Sequence, residues 1–161
     1  MSSERKPDPT PGMSLIVKTV TRWLKGFLLL YGIFIVFYGH LTPGGGFAGG
    51  VILACCFVLL TLAEGQRTAM KTLSKNAASE LDSLGLLLFL ALGFVGLLEG
   101  AAFLKNFIPT PVAAWFNLVS GGFMPLANIA IGLKVGASLF VIFSVLAALK
   151  ATEKKEDEVP K

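Results

Sequence analysis

Between residues 26 and 63 the chain contains no Asp, Glu, Lys or Arg, and a glycine-dense string interrupts this stretch near its middle. The string reads His40-Leu41-Thr42-Pro43-Gly44-Gly45-Gly46-Phe47-Ala48-Gly49-Gly50. A helix that crosses a hydrocarbon core needs ~20 apolar residues, so these positions barely hold two spans. The turn between them is therefore expected at, or slightly inside, the membrane edge. Irregular backbone at that depth persists only where protein or enclosed water satisfies its polar groups. A loop of this kind is expected to be buried against neighbouring protein.

The rest of the chain carries the same pattern. Of the 161 residues, 54% are hydrophobic and 15% charged, and the mean hydropathy is +0.74, which excludes an ordinary soluble domain. The apolar stretches are residues 26–38 (extended at the start by Val17, Val20, Trp23 and Leu24), 47–63, 84–104 and 125–149. The sequence thus predicts an all-α integral membrane protein of four transmembrane helices, with a domain over 14–149 between disordered tails at 1–13 and 150–161. The first span lies behind a polar lead and shows no small-residue cleavage pattern, so it does not read as a cleaved signal peptide. Four spans leave no room for an extramembrane domain. The 64–83 link is expected to be partly helical, and 105–124, with Trp115 and its aromatic neighbours, to lie at the interface.

Charge is distributed by side rather than by patch. Twelve Lys and Arg flank the first span's start, the 64–83 link and the chain's end, against Lys105 alone in the other two loops. The positive-inside bias then puts both termini in the cytoplasm. The net charge of +4 is a topology signal and not a nucleic-acid footprint. Cys55 and Cys56 are adjacent in the second span and point to different faces, so they read as small packing residues. With one His, no metal, haem or iron–sulfur site can be built from this chain alone, and no cofactor is expected.

Three ionisable residues stand out as ion-pathway candidates. Lys134 in the fourth span and Glu99 in the third lie at similar estimated depth, ~12 and ~8 Å from the same edge, which suggests that they pair. Such a pair reads either as a charge relay on an ion path or as a structural ion pair, with separate contacts to other subunits also open. His40, at the end of the first span, reads either as a group that passes protons or as a polar cap on the loop. Around Lys134, Ala127, Ala130, Ala137 and Ser138 form a small-residue face, while Gly132 and Gly136 form a second one nearly opposite. A helix with two close-packing faces needs neighbours on both, and partner subunits are the expected completion. In the turn, Gly44, Gly45 and Gly46 after Pro43 supply positive φ and close approach; a phosphate-binding reading fails for want of the Lys-Ser/Thr ending of a P-loop.

The string from His40 to Gly50 resembles the hallmark of the MrpB/MnhB family, subunits of multisubunit sodium/proton antiporters. A second string, Asn128-Ile129-Ala130-Ile131-Gly132-Leu133-Lys134-Val135-Gly136, is similar to that family's last-helix motif. The motif residues are Pro43, Gly44, Gly45, Gly46, Phe47, Gly49, Gly50, Asn128, Gly132 and Gly136, in family order. The resemblance implies a small, non-catalytic, multi-pass subunit in a prokaryotic cell membrane. It would help form a Na+ and H+ pathway and hold neighbouring subunits of an Mrp-type antiporter or a membrane-bound hydrogenase-type complex. The alternative is a purely structural assembly subunit with no ion contact. No catalytic residue carries over.

Overall fold

The structure is a computed structural model that describes residues 13–98, 102–108 and 120–157, without the side chains of Gln66, Arg67 and 150–157. Its elements are α1 (Leu15–Tyr38), α2 (Gly46–Glu64), α3 (Gln66–Thr72), α4 (Lys75–Leu98) and α5 (Met124–Asp157). All except α3 are long and apolar enough to cross a membrane, α5 over Met124–Leu149. The expected N-terminal tail lies outside the described residues, apart from Met13.

The four long helices stand side by side in the order α1, α2, α5, α4, with α1 also touching α5. Chain direction makes α1–α2 and α5–α4 antiparallel pairs and α2–α5 a parallel pair. In that parallel seam Gly46 faces Asn128 and Gly50 faces Gly132, a constant offset of 82 residues. A Cβ on Gly50 would stand 2.8 Å from the Gly132 carbonyl oxygen, and one on Gly46 would run into the Asn128 backbone. The glycines are thus what lets the two backbones approach, and repeated small residues four apart keep the approach going for two turns. Val36 of α1 lies against Gly49 on another side of α2.

The first span ends as expected at Tyr38 but begins at Leu15, so Lys18, Arg22 and Lys25 lie within α1. The second keeps its expected bounds to within one residue, Gly46–Glu64. The third does not: α4 begins at Lys75, nine residues before the apolar run at 84–104, and ends at Leu98. Ser74 precedes the helix, and its Oγ accepts a hydrogen bond from the Ala77 N–H at 3.1 Å, which satisfies an otherwise orphan donor of the first turn. The polar stretch 75–83 is therefore the first part of this helix rather than loop. At the chain's other end α5 runs on to Asp157, into the region expected to be a tail. Ala151, Glu153, Lys154, Lys155 and Glu156 are good helix formers, and no Gly or Pro interrupts them.

Both close-packing faces of α5 are filled from within the chain, α2 on the glycine side and α4 on the Lys134 side. This corrects the expectation that partner subunits fill them. The open surfaces are on the outer flanks of α1 (Trp23, Phe27, Leu30) and α4 (Leu87, Leu98) and along one flank of the α4–α5 seam (Leu86, Ile142).

The glycine turn is covered only in part: Pro43 and Gly44 are exposed, Leu41, Thr42 and Gly45 half-buried, and Gly46, the first residue of α2, is buried. Gly44 and Gly45 have φ of 150° and 91°, conformations that disfavour any side chain, and Gly45 leads directly into α2. Residues 120–123 lie over the turn, with Gly121 packed on the His40 ring. That segment is pinned by Asn106, whose Oδ1 accepts from the N–H groups of Phe123 and Ile108, both at 3.2 Å, and by Phe107 stacked on Phe123. Gly85 of α4 crosses α5 between Ala130 and Lys134. In that register α4 continues about nine residues, ~13 Å, past the level of Gly46 and Asn128. Leu90, Leu92, Phe94, Val95, Leu97 and Leu98 make that extension apolar. The turn thus sits below the level that α4's apolar end reaches, as the shortness of the first two spans required.

Candidate intramembrane charge site

Lys134 lies ten residues into α5, on the side that faces α4. At the crossing point Gly85 has no side chain, so α4 approaches until a Cβ there would be 2.9 Å from that of Lys134. The lysine side chain consequently runs along the seam toward Asp82, one turn before Gly85. Its Nζ lies 2.8 Å from Asp82 Oδ1 and donates to Ser138 Oγ at 2.7 Å, and the Ser138 hydroxyl donates to the same Asp82 oxygen. Carboxylate, ammonium and hydroxyl close a three-membered ring of hydrogen bonds with no net charge.

Its depth follows from the parallel seam. By the offset of 82 residues, Lys134 is level with Ile52, ~9 Å along α2 from Gly46 and ~18 Å from Glu64. The pair therefore lies within the span rather than at its ends. An isolated charge at the middle of a membrane helix costs ~2.5–3.5 kcal/mol on insertion scales, and neutralisation by Asp82 removes most of the reason for that cost. Lys134–Asp82 is the only ion pair among the described residues.

The expected Lys134–Glu99 pair is replaced by Lys134–Asp82. The depth estimate placed the third span at 84–104, whereas the helix that carries it starts at Lys75, which brings Asp82 to the level of Lys134. Glu99 itself lies outside the described residues. Asp82 was missed because a hydropathy reading stops at the polar stretch before Leu84. The signal that could have found it is Ser74, a helix-capping residue eight positions upstream, which makes 75–83 helical and puts Asp82 one turn before Gly85.

His40 is not part of this cluster. It follows the α1 C-cap Gly39, in the turn under Gly121, at the Gly46 end of the molecule. The two glycine strings meet directly: Asn128 Oδ1 accepts the Gly46 N–H at 3.2 Å and so caps α2 from a different helix. Gly132 and Gly136 continue the same seam against Gly50. Cys55 and Cys56 are free, and the buried Cys56 thiol donates to the Lys25 carbonyl at 3.4 Å.

Four apolar helices, a glycine turn that leads into a close-packed seam and an ion pair between two spans define a multi-pass membrane protein. Residues 16–141 match the MnhB family, described as a domain related to the MnhB subunit of Na+/H+ antiporter, and the chain belongs to that family. It is similar to a Na+/H+ antiporter subunit of Bacillus subtilis, 31% identical over 142 residues, 88% of this chain and 94% of that protein. An uncharacterised protein of Methanocaldococcus jannaschii is 33% identical over 144 residues, 87% of this chain but 55% of its own length. Among solved structures, a chain from the membrane-bound sulfane sulfur reductase, an archaeal respiratory membrane complex, superposes with a TM-score of 0.69 at 30% identity. That match covers 91% of this chain and 63% of the reductase chain, so the chain spans only part of both archaeal proteins.

Proposed function

We propose that this chain is a non-catalytic membrane subunit of a cation/proton antiporter module, either free-standing or built into a respiratory complex, and that Asp82, Lys134 and Ser138 lie on its ion path. The family match and the near full-length similarity to a Na+/H+ antiporter subunit support the first part. The similarity to a chain of a respiratory membrane complex supports the built-in form. The observation that carries the second part is the ion pair held between two spans, since charges at such depth are retained chiefly where ions or protons move. Na+ and H+ are the transported ions in this reading, and other complex subunits are the partners.

Both termini and α3 face the cytoplasm in this reading, as the distribution of Lys and Arg demands. Asn76→Cys and Lys105→Cys, both at exposed positions, would then label from opposite faces of the membrane. Labelling of both from one face would refute the orientation.

The competing reading is a scaffold subunit with no ion contact, which the glycine seam would serve equally well. Everted vesicles that hold the complex with Asp82→Asn separate the two. Sodium-dependent proton efflux is expected to fall at least tenfold while the complex still migrates intact on a native gel. Normal efflux from an intact complex would exclude the pair from the path.

A further inference from the structure

The Asp82–Lys134–Ser138 ring is complete on one side and open on the other. Asp82 Oδ1 takes both incoming bonds, which leaves Oδ2 and the third ammonium hydrogen without partners among the described residues. The two side chains remain 35% and 39% exposed. Toward α2 the seam is apolar, where Leu81, Leu133 and Ala137 line a small half-open pocket of about 130 Å³ with Leu53 and Phe57. Its opposite flank carries Leu86, one turn past Asp82, and Ile142, one turn past Ser138, which are 58% and 55% exposed, with the exposed Ser79 one turn before Asp82. Polar groups with unmade hydrogen bonds do not stay open to lipid, since nothing there can satisfy them. The cover must therefore be polar at the level of the pair and apolar beyond it, where Leu86 follows.

We propose that this flank of the α4–α5 seam docks a transmembrane helix of a neighbouring subunit, one that carries an Asn, Gln, Ser or Thr opposite the ion pair. The inference rests on the reading of the chain as a complex subunit and names the face and chemistry of one contact. An uncharged group is required because the pair is already neutral, and a third charge would have no counterpart. The group must donate to Oδ2 and accept from Nζ, which these four side chains do. A helix is the carrier because only a helix satisfies its own backbone groups at that depth. Leu86 and Ile142 supply the apolar rim on which it packs.

The test uses the assembled complex in its native membrane. A benzophenone-bearing residue replaces Leu86 or Ile142, and, as a control, Leu62 of α2. After irradiation, adducts at positions 86 and 142 are expected on one transmembrane segment of another subunit, within a helical turn of an Asn, Gln, Ser or Thr. Leu62 is expected to give no adduct with that segment. The Leu86 adduct is expected to fall at least fivefold when Asp82 and Lys134 are both replaced by Leu. Adducts with lipid alone overturn the proposal, as does a captured segment with no such residue. Modification of Leu86→Cys by a membrane-impermeant thiol reagent would show an aqueous cavity and overturn it as well. Should the Leu86 variants fail to assemble, Ile142 carries the same readouts. Co-purification with antiporter subunits together with lipid-only adducts rejects the docking face and leaves the proposed function standing. Purification with no other subunit rejects the proposed function itself.

Discussion

The two sides of α5 are held by different physics. Toward α2 the seam is glycine against glycine, with backbones in near contact and one hydrogen bond, Gly46 N–H to Asn128, at its end. Toward α4 the approach is made by Gly85 and by small residues such as Ala78, Ala130 and Ala137, and beside them three polar side chains bond to one another. The first seam tolerates no added volume and is indifferent to charge. The second has room on its flank and depends on balance between its charges. A seam of the first kind fixes position, whereas one of the second kind can change state when a proton or cation arrives. That contrast is what supports the proposal of an ion path on the α4 side, with the α2 side as the structural keystone.

The largest effect should come from adding volume to the rigid seam. Gly50→Val puts a branched side chain where even a Cβ meets the Gly132 carbonyl at 2.8 Å. We expect loss of the assembled complex on native gels, with at least a tenfold drop in recovered protein. Wild-type recovery would mean that α2 and α5 can slide past each other. Next comes the charge seam. Lys134→Met strands Asp82 in the span and should lower the thermal unfolding midpoint of the purified complex. Adding Asp82→Asn removes the stranded charge and should recover at least half of the loss, because breaking a pair costs more than deleting it. A double variant that is no better than Lys134→Met would mean that another group balances Lys134.

Smaller still is the effect of Asn128→Ala, which removes the cap on α2 without adding volume. It should cost ~1 kcal/mol, about the worth of one net hydrogen bond, read as a modest fall in midpoint with antiport retained. A loss comparable with Gly50→Val would show that the cap, rather than close packing, holds the seam. The smallest change belongs to neither seam. Gly26 of α1 has open space where a Cβ would go, so Gly26→Ala should leave the complex unchanged or raise its stability by up to ~1 kcal/mol. A marked loss there would mean that a partner packs closely on α1.

The sequence carried much of the shape seam and little of the charge seam, for a physical reason. Gly132 and Gly136 recur at a spacing that has meaning within a single helix, so their close-packing face was legible before any partner helix was known. Gly46, by contrast, was read as part of the turn and instead begins α2, without positive φ. The identity of the partner was not legible. Outside subunits were expected where α2 and α4 stand, because packing faces are a property of one helix and pairing a property of two. For Lys134 the reading required an azimuth and a depth for a second helix. The depth failed because Lys75 to Ser83 is polar enough to resemble a loop, yet it is helical once Ser74 caps it. With Asp82 left outside the expected span, Glu99 was the only carboxyl group inside it.

The parallel run of α2 and α5 bears on how the chain is made. Helices that point the same way cannot enter the bilayer as a hairpin, so the glycine face of α2 waits through the synthesis of α3 and α4 before its counterpart exists. Asp82 waits as well, a carboxyl group whose lysine has yet to leave the ribosome. The arrival of α5 answers both at once, by wedging between two helices already inserted. The last closure is therefore late, and a chain halted before residue 124 would hold a packed α1–α2 pair with little to join α4 to it.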